Sequence, residues 1–322
     1  MTTTGGKLCL VWISGQVLKA LIGVIKVNKE IWLWLLLVML PHNERTMKLV
    51  EQYGDVRTAA EAVRDGKCEL LSEDERERAS KIRSREVNSI IAECESNSIR
   101  IITFEDEEYP SLLRDIYTPP VVLFVQGSLE GLSEQTTLAV VGTRNPSRYG
   151  VTAAKQICTE LAALGMTIVS GLAVGIDTAA HESTLEKGAK TIGVLACGSL
   201  VDYPAASRGL KQNIIRSGGA IISELLPHTA VDPEYFRHRN RIISGLAHGT
   251  FVVEAPEHSG SLLTAEHTVQ QGRELFCLPP YDIFSRSCTG VVPYLRDGAT
   301  PVFGYVDIVE ALKYRLFHEI EE

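Results

Sequence analysis

The chain has 322 residues, 45% of them hydrophobic and 22% charged, with a formal net charge of −8. This composition describes an ordinary globular protein with room for two domains, and it excludes a histone-like polycation that holds nucleic acid by bulk charge, though not a local basic groove. Seven cysteines (Cys9, Cys68, Cys94, Cys158, Cys197, Cys277, Cys288) form no C-x-x-C pair and no zinc spacing, so reduced thiols in a cytoplasmic protein are expected.

Residues 1 to 30 carry apolar patches broken by Lys19, Lys26, Lys29 and Glu30. The longest apolar run, IWLWLLLVML, is ten residues and stops at Pro41, too short to cross a bilayer. This segment is read as an unassigned extension, with an amphipathic membrane-surface helix as the alternative; no membrane partner is expected. From Ile31 to Asn97 the pattern is helical. Leu33, Leu36, Leu37 and Leu40 form one stripe, Gly54 is a stop, and Ser72 with Glu75 has the spacing of a capping box. That box opens a charged helix whose buried side is Ile82, Val87, Ile90, Ile91 and Cys94. A helix–turn–helix arrangement here serves either as an accessory DNA or protein contact or as plain packing.

Strands are expected at Arg100 to Phe104 and Val121 to Gln126. The stretch from Leu138 to His181 then reads as strand (Leu138 to Val141), helix (Val151 to Leu164), strand (Met166 to Val169) and a second helix near Asp177. Strands follow at Thr191 to Ala196, Ala220 to Ser223, Thr250 to Glu254, Glu274 to Leu278 and Thr300 to Phe303. Helices are expected at Leu210 to Arg216, from Phe236, from Ser259 to Gln271, and from Val306 to Ile320. This alternation predicts an α/β fold with a parallel sheet covered on both faces.

Ligands of such sheets sit at the carboxyl ends of the strands. There the chain offers main-chain amides at Gly142, Gly150, Gly171 and Gly175 and the side chains of Thr143, Arg144, Arg148 and Ser170. Amides, helix N-termini and a guanidinium favour a phosphate, while the glycines alone would only make tight turns. Phe236, Arg237, Arg239 and Arg241 place three cations and an aromatic at what reads as a helix opening, a combination suited to a single strand held without sequence readout. Asp232 and Glu234 just upstream are the alternative counter-charges. Ser259-Gly260-Ser261 forms a third anion-competent turn, and together these features suggest an elongated track. Asp177 and His181 are read as a helix N-cap and a satisfied inner residue rather than a metal pair. No metal site is expected.

Four segments, VVGTRNPSRYG, SGLAVGIDTAAH, FRHRNRIISGL and SGSLLTAEHTVQQGRELFCLP, occur in this order. Together they closely resemble the DNA-processing protein A (DprA/Smf) family, over roughly Ile31 to the C-terminus and most densely from Leu138 to Ala299. The resemblance implies an extended Rossmann-like, mostly parallel sheet preceded by a small all-helical domain, SAM-like or helix-hairpin-helix. The division is then 1–30 unassigned, 31–98 helical and 99–322 DNA-binding, with no C-terminal winged helix. It further implies a homodimer, without cofactor or catalytic residue, that binds and protects single-stranded DNA. Such a protein loads RecA recombinase in natural transformation or recombination. By motif position the family's pocket maps to Arg144, Ser170 and Gly171, with Phe236, Arg239 and the 259 turn nearby.

The chain departs from the family pattern at Arg237 (usually proline), Ala205 and His228 (usually basic neighbours), and Val292 (usually asparagine). Either a weaker affinity or its redistribution through Arg237 and Arg208 is expected from these departures. The alternative is a Rossmann-like nucleoside-monophosphate phosphoribohydrolase with Glu266 as its acid, although the double glycine of that motif is missing from APEHSGSLLTAE.

Overall fold

The first apolar stripe forms a helix, α1 (28–39), which buries Trp32, Leu33, Leu35, Leu36 and Met39 in the computed structural model, which describes residues 28–318. The reading of the N-terminal extension therefore falls, up to residue 27, outside the described residues. Leu40, expected in the stripe, lies past the helix end at φ 65° and is 48% exposed, because Pro41 disfavours helical backbone in the residue before it. After α2 (Arg45–Tyr53) and α3 (Val56–Arg64), α4 (Glu73–Lys81) opens on the expected capping box. There Ser72 accepts from the Glu75 amide and the Glu75 carboxylate accepts from that of Ser72 at 2.7 Å. The single charged helix expected next is two: α4 ends before the extended residues Ile82 and Arg83, and α5 (Ser84–Ser96) starts anew. Only Glu75 is buried in α4, so no apolar stripe carries that helix onward.

The sheet follows. In chain order its elements are β1 (Arg100–Thr103), a one-turn α6 (Ser111–Arg114), β2 (Val122–Gly127), β3 (Thr137–Val141), α7 (Arg148–Ala163), β4 (Thr167–Ser170) and α8 (Ile176–Glu186). Then come β5 (Thr191–Val194), α9 (Arg208–Arg216), β6 (Ala220–Ser223), α10 (Pro233–Gly245), β7 (Gly249–Val252), α11 (Gly260–Gln270), β8 (Glu274–Cys277), α12 (Val292–Arg296), β9 (Thr300–Pro301) and α13 (Tyr305–His318). The strand order is β1-β2-β6-β5-β4-β3-β7-β8-β9; β2 is antiparallel to both neighbours and every other pair is parallel. The fold is thus mixed α/β, a mostly parallel nine-stranded sheet preceded by helices. The last strand stops at Pro301 instead of running to Phe303.

Alternation of side chains sorts the helices between the two faces. Leu138 and Val140 of β3 pack with α7, α8 and α13, whereas Ala139 and Val141 pack with α10 and α11. The N-terminal helices share a cluster with Ile101, Val122 and Phe124, so they cover one end of the sheet. From β3 the chain winds through β4 and β5 to β6; from β7 it winds the other way, to β8 and β9. The reversal lies between β3 and β7, where the two connections leave on opposite faces and open a crevice at the carboxyl edge. Among the described residues no helix is long and apolar enough to cross a membrane.

Candidate functional site

Two of the three turns expected to cradle an anion already hold one of the protein's own. At α7, Ser147 is the N-cap and accepts from the Gly150 amide at 3.1 Å. Glu254, just past β7, sends its carboxylate into the same turn, accepting from the Ser147 amide at 3.0 Å and hydroxyl at 2.9 Å. A Cβ on residue 150 would lie 2.2 Å from Glu254 Oε2, which is why glycine stands there. At β4, Asp177 Oδ2 accepts from the amides of Gly171 (3.1 Å) and Ala173 (3.3 Å). Asp177 is therefore not the N-cap of α8, a position held by Gly175; it clamps the loop that precedes the helix. The expectation of phosphate-binding amides at Gly150 and Gly171 is corrected accordingly. The third turn stays open: Ser259 caps α11 by accepting from the Ser261 amide, and a Cβ on Gly260 would meet nothing within 4 Å. With no carboxylate in it, that helix N-terminus is available to an anion.

The arginine cluster of α10 also resolves differently from its linear pattern. The helix begins earlier than expected, with Asp232 as cap and Pro233 in its first position, so Phe236 to Arg241 lie inside it. One face carries Phe236, Arg239, Asn240 and Ile243 to the crevice. Arg239 is 6% exposed and donates to the carbonyl of Gly171 at 2.8 Å and to that of Val194. Its guanidinium lies 2.8 Å from where a Cβ on Gly171 would sit, so that glycine gives it passage. Arg241 points away from the crevice and is buried against Glu224, donating at 2.7 and 2.9 Å. Arg237 is exposed and lines no part of the crevice. The reason is periodicity: steps of two residues on a helix cannot keep three side chains on one face.

What the fold does bring together is a cavity of about 300 Å³ and, beside it, one of about 70 Å³. Arg144, Phe236 and Arg239 line both. Gly142, Thr143, Ser259, Gly260 and Ser261 complete the larger, while Gly171 and Tyr203 line the smaller. Arg144 is exposed, and its Cζ lies 5.2 Å from the centre of the Phe236 ring; Arg239 approaches the same ring at 5.7 Å. Tyr203 meets Phe236 edge-on at 5.8 Å. Arg148 opens α7, exposed and outside both cavities. Ser170 is fully buried and donates to the Val140 carbonyl at 2.6 Å, bracing β4 against β3 instead of facing a ligand.

The electrostatics beneath the crevice are set by burial. Desolvation pushes the Arg239 guanidinium down to about 10, opposed by Asp177. It pushes the Asp177 carboxyl up, against the pull of Arg239 and the loop amides. His181 is fully buried, its Nδ1 2.7 Å from Thr191 Oγ1. Leu172, at φ 60°, holds the loop between Arg239 and Asp177 in a left-handed conformation that its own buried side chain secures.

Of the departures from the family pattern, His228 pairs with Glu93 on α5 at 2.6 Å, Arg208 lies 3.3 Å from Asp202, and Val292 opens α12. Glu266, the acid of the enzymatic alternative, lines a separate cavity with Arg273 and Tyr294, outside the crevice. Among the described residues no group of three or more His, Cys, Asp or Glu is placed to hold a metal. Glu254, Asn240 and Tyr203 went unnoticed in the linear pattern. Glu254 alone carried a signal, as a carboxylate closing an apolar strand at the ligand-bearing edge.

The family model described as DNA recombination-mediator protein A matches residues 100–313. The DNA processing protein DprA of Bacillus subtilis is 37% identical over 226 residues, 70% of this chain and 75% of the relative. Protein Smf of Escherichia coli is 34% identical over 302 residues, 90% of this chain and 76% of the relative. The crystal structure of DprA from Streptococcus pneumoniae superposes with a TM-score of 0.76 at 31% identity, covering 88% of this chain and 97% of that one. DNA processing protein A from Helicobacter pylori, solved for its single-stranded DNA binding mode, gives a TM-score of 0.60 at 28% identity, covering 67% and 97%. With its matching segments lining one crevice and its relatives matching most of its length, the chain belongs to the DNA-processing protein A (DprA/Smf) family.

Proposed function

We propose that this protein binds single-stranded DNA at the crevice between β3, β4 and β7, protects the strand and loads RecA recombinase onto it. It acts as a cytoplasmic homodimer without metal, cofactor or catalytic step, with residues 31–98 as an accessory helical domain and 99–322 as the DNA-binding domain. Arg144 carries the reading. It is exposed, has no carboxylate partner among the described residues, and sits over the Phe236 ring between the two cavities. A guanidinium for phosphate beside an aromatic face for a base is the chemistry of sequence-tolerant single-strand binding. The open N-terminus of α11 adds amides for a second phosphate. Family membership and the binding mode of the Helicobacter pylori relative support it.

The test is a fluorescence-anisotropy titration with labelled oligo-dT and with duplex at several salt concentrations. Single strands should bind far more tightly than duplex, with affinity falling as salt rises. Arg144→Ala should cost about 1–2 kcal/mol and flatten the salt slope by about one unit, with thermal unfolding unchanged. Equal affinity for duplex and single strand would remove the reading. RecA loading is tested separately, by the rate of RecA assembly on strands the protein already covers; no acceleration would remove that part alone.

A further inference from the structure

Three exposed aromatic residues, one at the start of α7 and two in the loop after β8, are not used by the proposed site. Phe284 is 88% exposed, Tyr281 50% and Tyr149 43%. Their exposure is built into the chain. Asp282 accepts from the Phe284 amide at 2.9 Å, in a tight side-chain turn that holds Phe284 outward. Tyr149 and Tyr281 pack ring against ring at 5.8 Å and 59°, and the Tyr149 hydroxyl donates to the Pro279 carbonyl at 3.4 Å. Two arginines accompany them: Arg148, beside Tyr149 at the start of α7, and Arg286, two residues after Phe284. Both are exposed and without a carboxylate partner among the described residues. The only acid between residues 280 and 288 is Asp282, whose carboxylate serves the turn.

This ledge lies on the same edge of the sheet as the crevice. Arg148 and Tyr149 open α7 directly after the loop that carries Arg144 out of β3, and its N-cap Ser147 is held by Glu254 at the exit of β7. The far end of the 281–288 loop returns to that exit as well, where the Gly290 amide donates to the Ala255 carbonyl at 3.0 Å. Exposed rings with unpaired guanidinium groups adjacent in the chain match bases and phosphates better than they match an apolar peptide, which would leave both cations uncompensated.

We infer that the DNA track continues from the Arg144–Phe236 crevice onto the ledge of Tyr149, Tyr281 and Phe284, with Arg148 and Arg286 meeting phosphates, so that the protein holds a strand longer than the crevice alone accommodates. This rests on the single-strand reading of the crevice. The experiment compares the full chain, the Tyr281→Ala/Phe284→Ala double variant and Arg144→Ala, each titrated with oligo-dT of about six and about twenty nucleotides. Sedimentation is run at the same concentrations. The double variant should lose affinity about tenfold for the longer strand, with the loss confined to that strand, and Phe284→Trp should retain it. Arg144→Ala should weaken both lengths. If Arg144→Ala weakens both and the double variant holds the long strand as tightly as the parent, the track ends at the crevice and the ledge is refuted. If the loss on the long strand comes with a shift from dimer to monomer, the rings are a contact between copies, which also overturns the inference. No binding of either strand by the parent would remove the crevice reading and the ledge with it.

Discussion

Arg239 and Arg241 stand two residues apart on α10, both buried, and their surroundings give them opposite roles. Under the N-terminal helices, Arg241 meets Glu224 in a two-pronged ion pair, with further donation to the carbonyls of Thr118 and His238. His42, from the turn after α1, lies 2.6 Å from the same carboxylate and stacks on His238 at 4.3 Å. At the crevice, Arg239 is held by two main-chain carbonyls, and Asp177 reaches it only through space. Burial says little about what an arginine does; its partner decides. A carboxylate in contact neutralises the cation and locks two parts of the fold together. Carbonyls fix its position while leaving much of its charge to act on whatever enters the cavity beside it.

The junction side of this comparison breaks with the largest expected effect. Glu224→Ala leaves Arg241 buried without its partner and should destabilise the protein by about 3–5 kcal/mol in urea unfolding. The oligo-dT affinity of the folded protein should stay within about twofold, since the crevice shares no partner with that pair. Burial alone would raise the Glu224 carboxyl, but Arg241 and His42 hold it well below its ordinary 4.5. The pair's contribution is therefore present above that pH and lost as pH falls below it. A variant as stable as the parent would mean that the junction carries no weight.

The strands, the βαβ unit and the capping box of α4 were legible because each rests on spacing within a short stretch. The elements around β3 and β4 shifted by only a few residues, as at α7, where Ser147 caps the helix before the apolar pattern begins. The crevice was legible in its parts: Arg144, Phe236 and the 259 turn meet as the motifs suggested. What stayed hidden depended on distant partners. Nothing near Gly150 announces that Glu254, more than a hundred positions on, fills the α7 turn. Nothing in the run FRHRNR shows that Arg241 belongs to Glu224 and Arg239 to Gly171 and Val194, because those partners arrive from other strands. A charge run reads alike whether its members face solvent, a ligand or a buried carboxylate.

The crevice side sharpens through His181, which stays neutral beneath Arg239. The Thr191 hydroxyl gives its proton to the Ile168 carbonyl at 2.7 Å, so His181 Nδ1–H donates to Thr191, and Nε2 is a buried acceptor without a partner among the described residues. A second proton on that ring would be a buried donor with no acceptor among them. Burial first, and Arg239 second, push its pKa from 6.5 down to about 3. The unfolded chain takes up this proton near 6.5 and the folded one near 3, so the stability contributed by neutral His181 is full above 6.5 and erodes as pH falls towards 3. The erosion is up to about 1.4 kcal/mol per pH unit. His181→Asn keeps a donor towards Thr191 and should flatten the acid limb by about one proton between roughly pH 6 and 4. His238 and His267 are also lowered by burial, so the measurement that matters is the difference between variant and parent in urea unfolding across that range. Parallel acid limbs would show that His181 titrates as it does in the unfolded chain.

The smallest effect is expected at Arg237, the remaining arginine of the run and the position where the resemblance leads one to expect proline. Here α10 already has Pro233 in its first turn, so residue 237 lies inside the helix. A proline at 237 would lose the amide bond to the Pro233 carbonyl and crowd that carbonyl as well, so Arg237→Pro mixes backbone damage with loss of charge. Arg237→Gln removes the charge alone. Arg237 is one helical step, about 100°, from Phe236 and outside both cavities. The substitution should therefore change short-oligo affinity by less than about 0.5 kcal/mol and leave the salt slope as it is. Arg144→Ala, measured beside it, sets the scale of a true phosphate contact. If Arg237→Gln matched that loss and also lowered the slope by about one unit, the strand would cross the flank of α10. Arg237 would then be the cation that makes up for Ala205 and His228, and the line drawn between the crevice face of this helix and the rest of it would have to move.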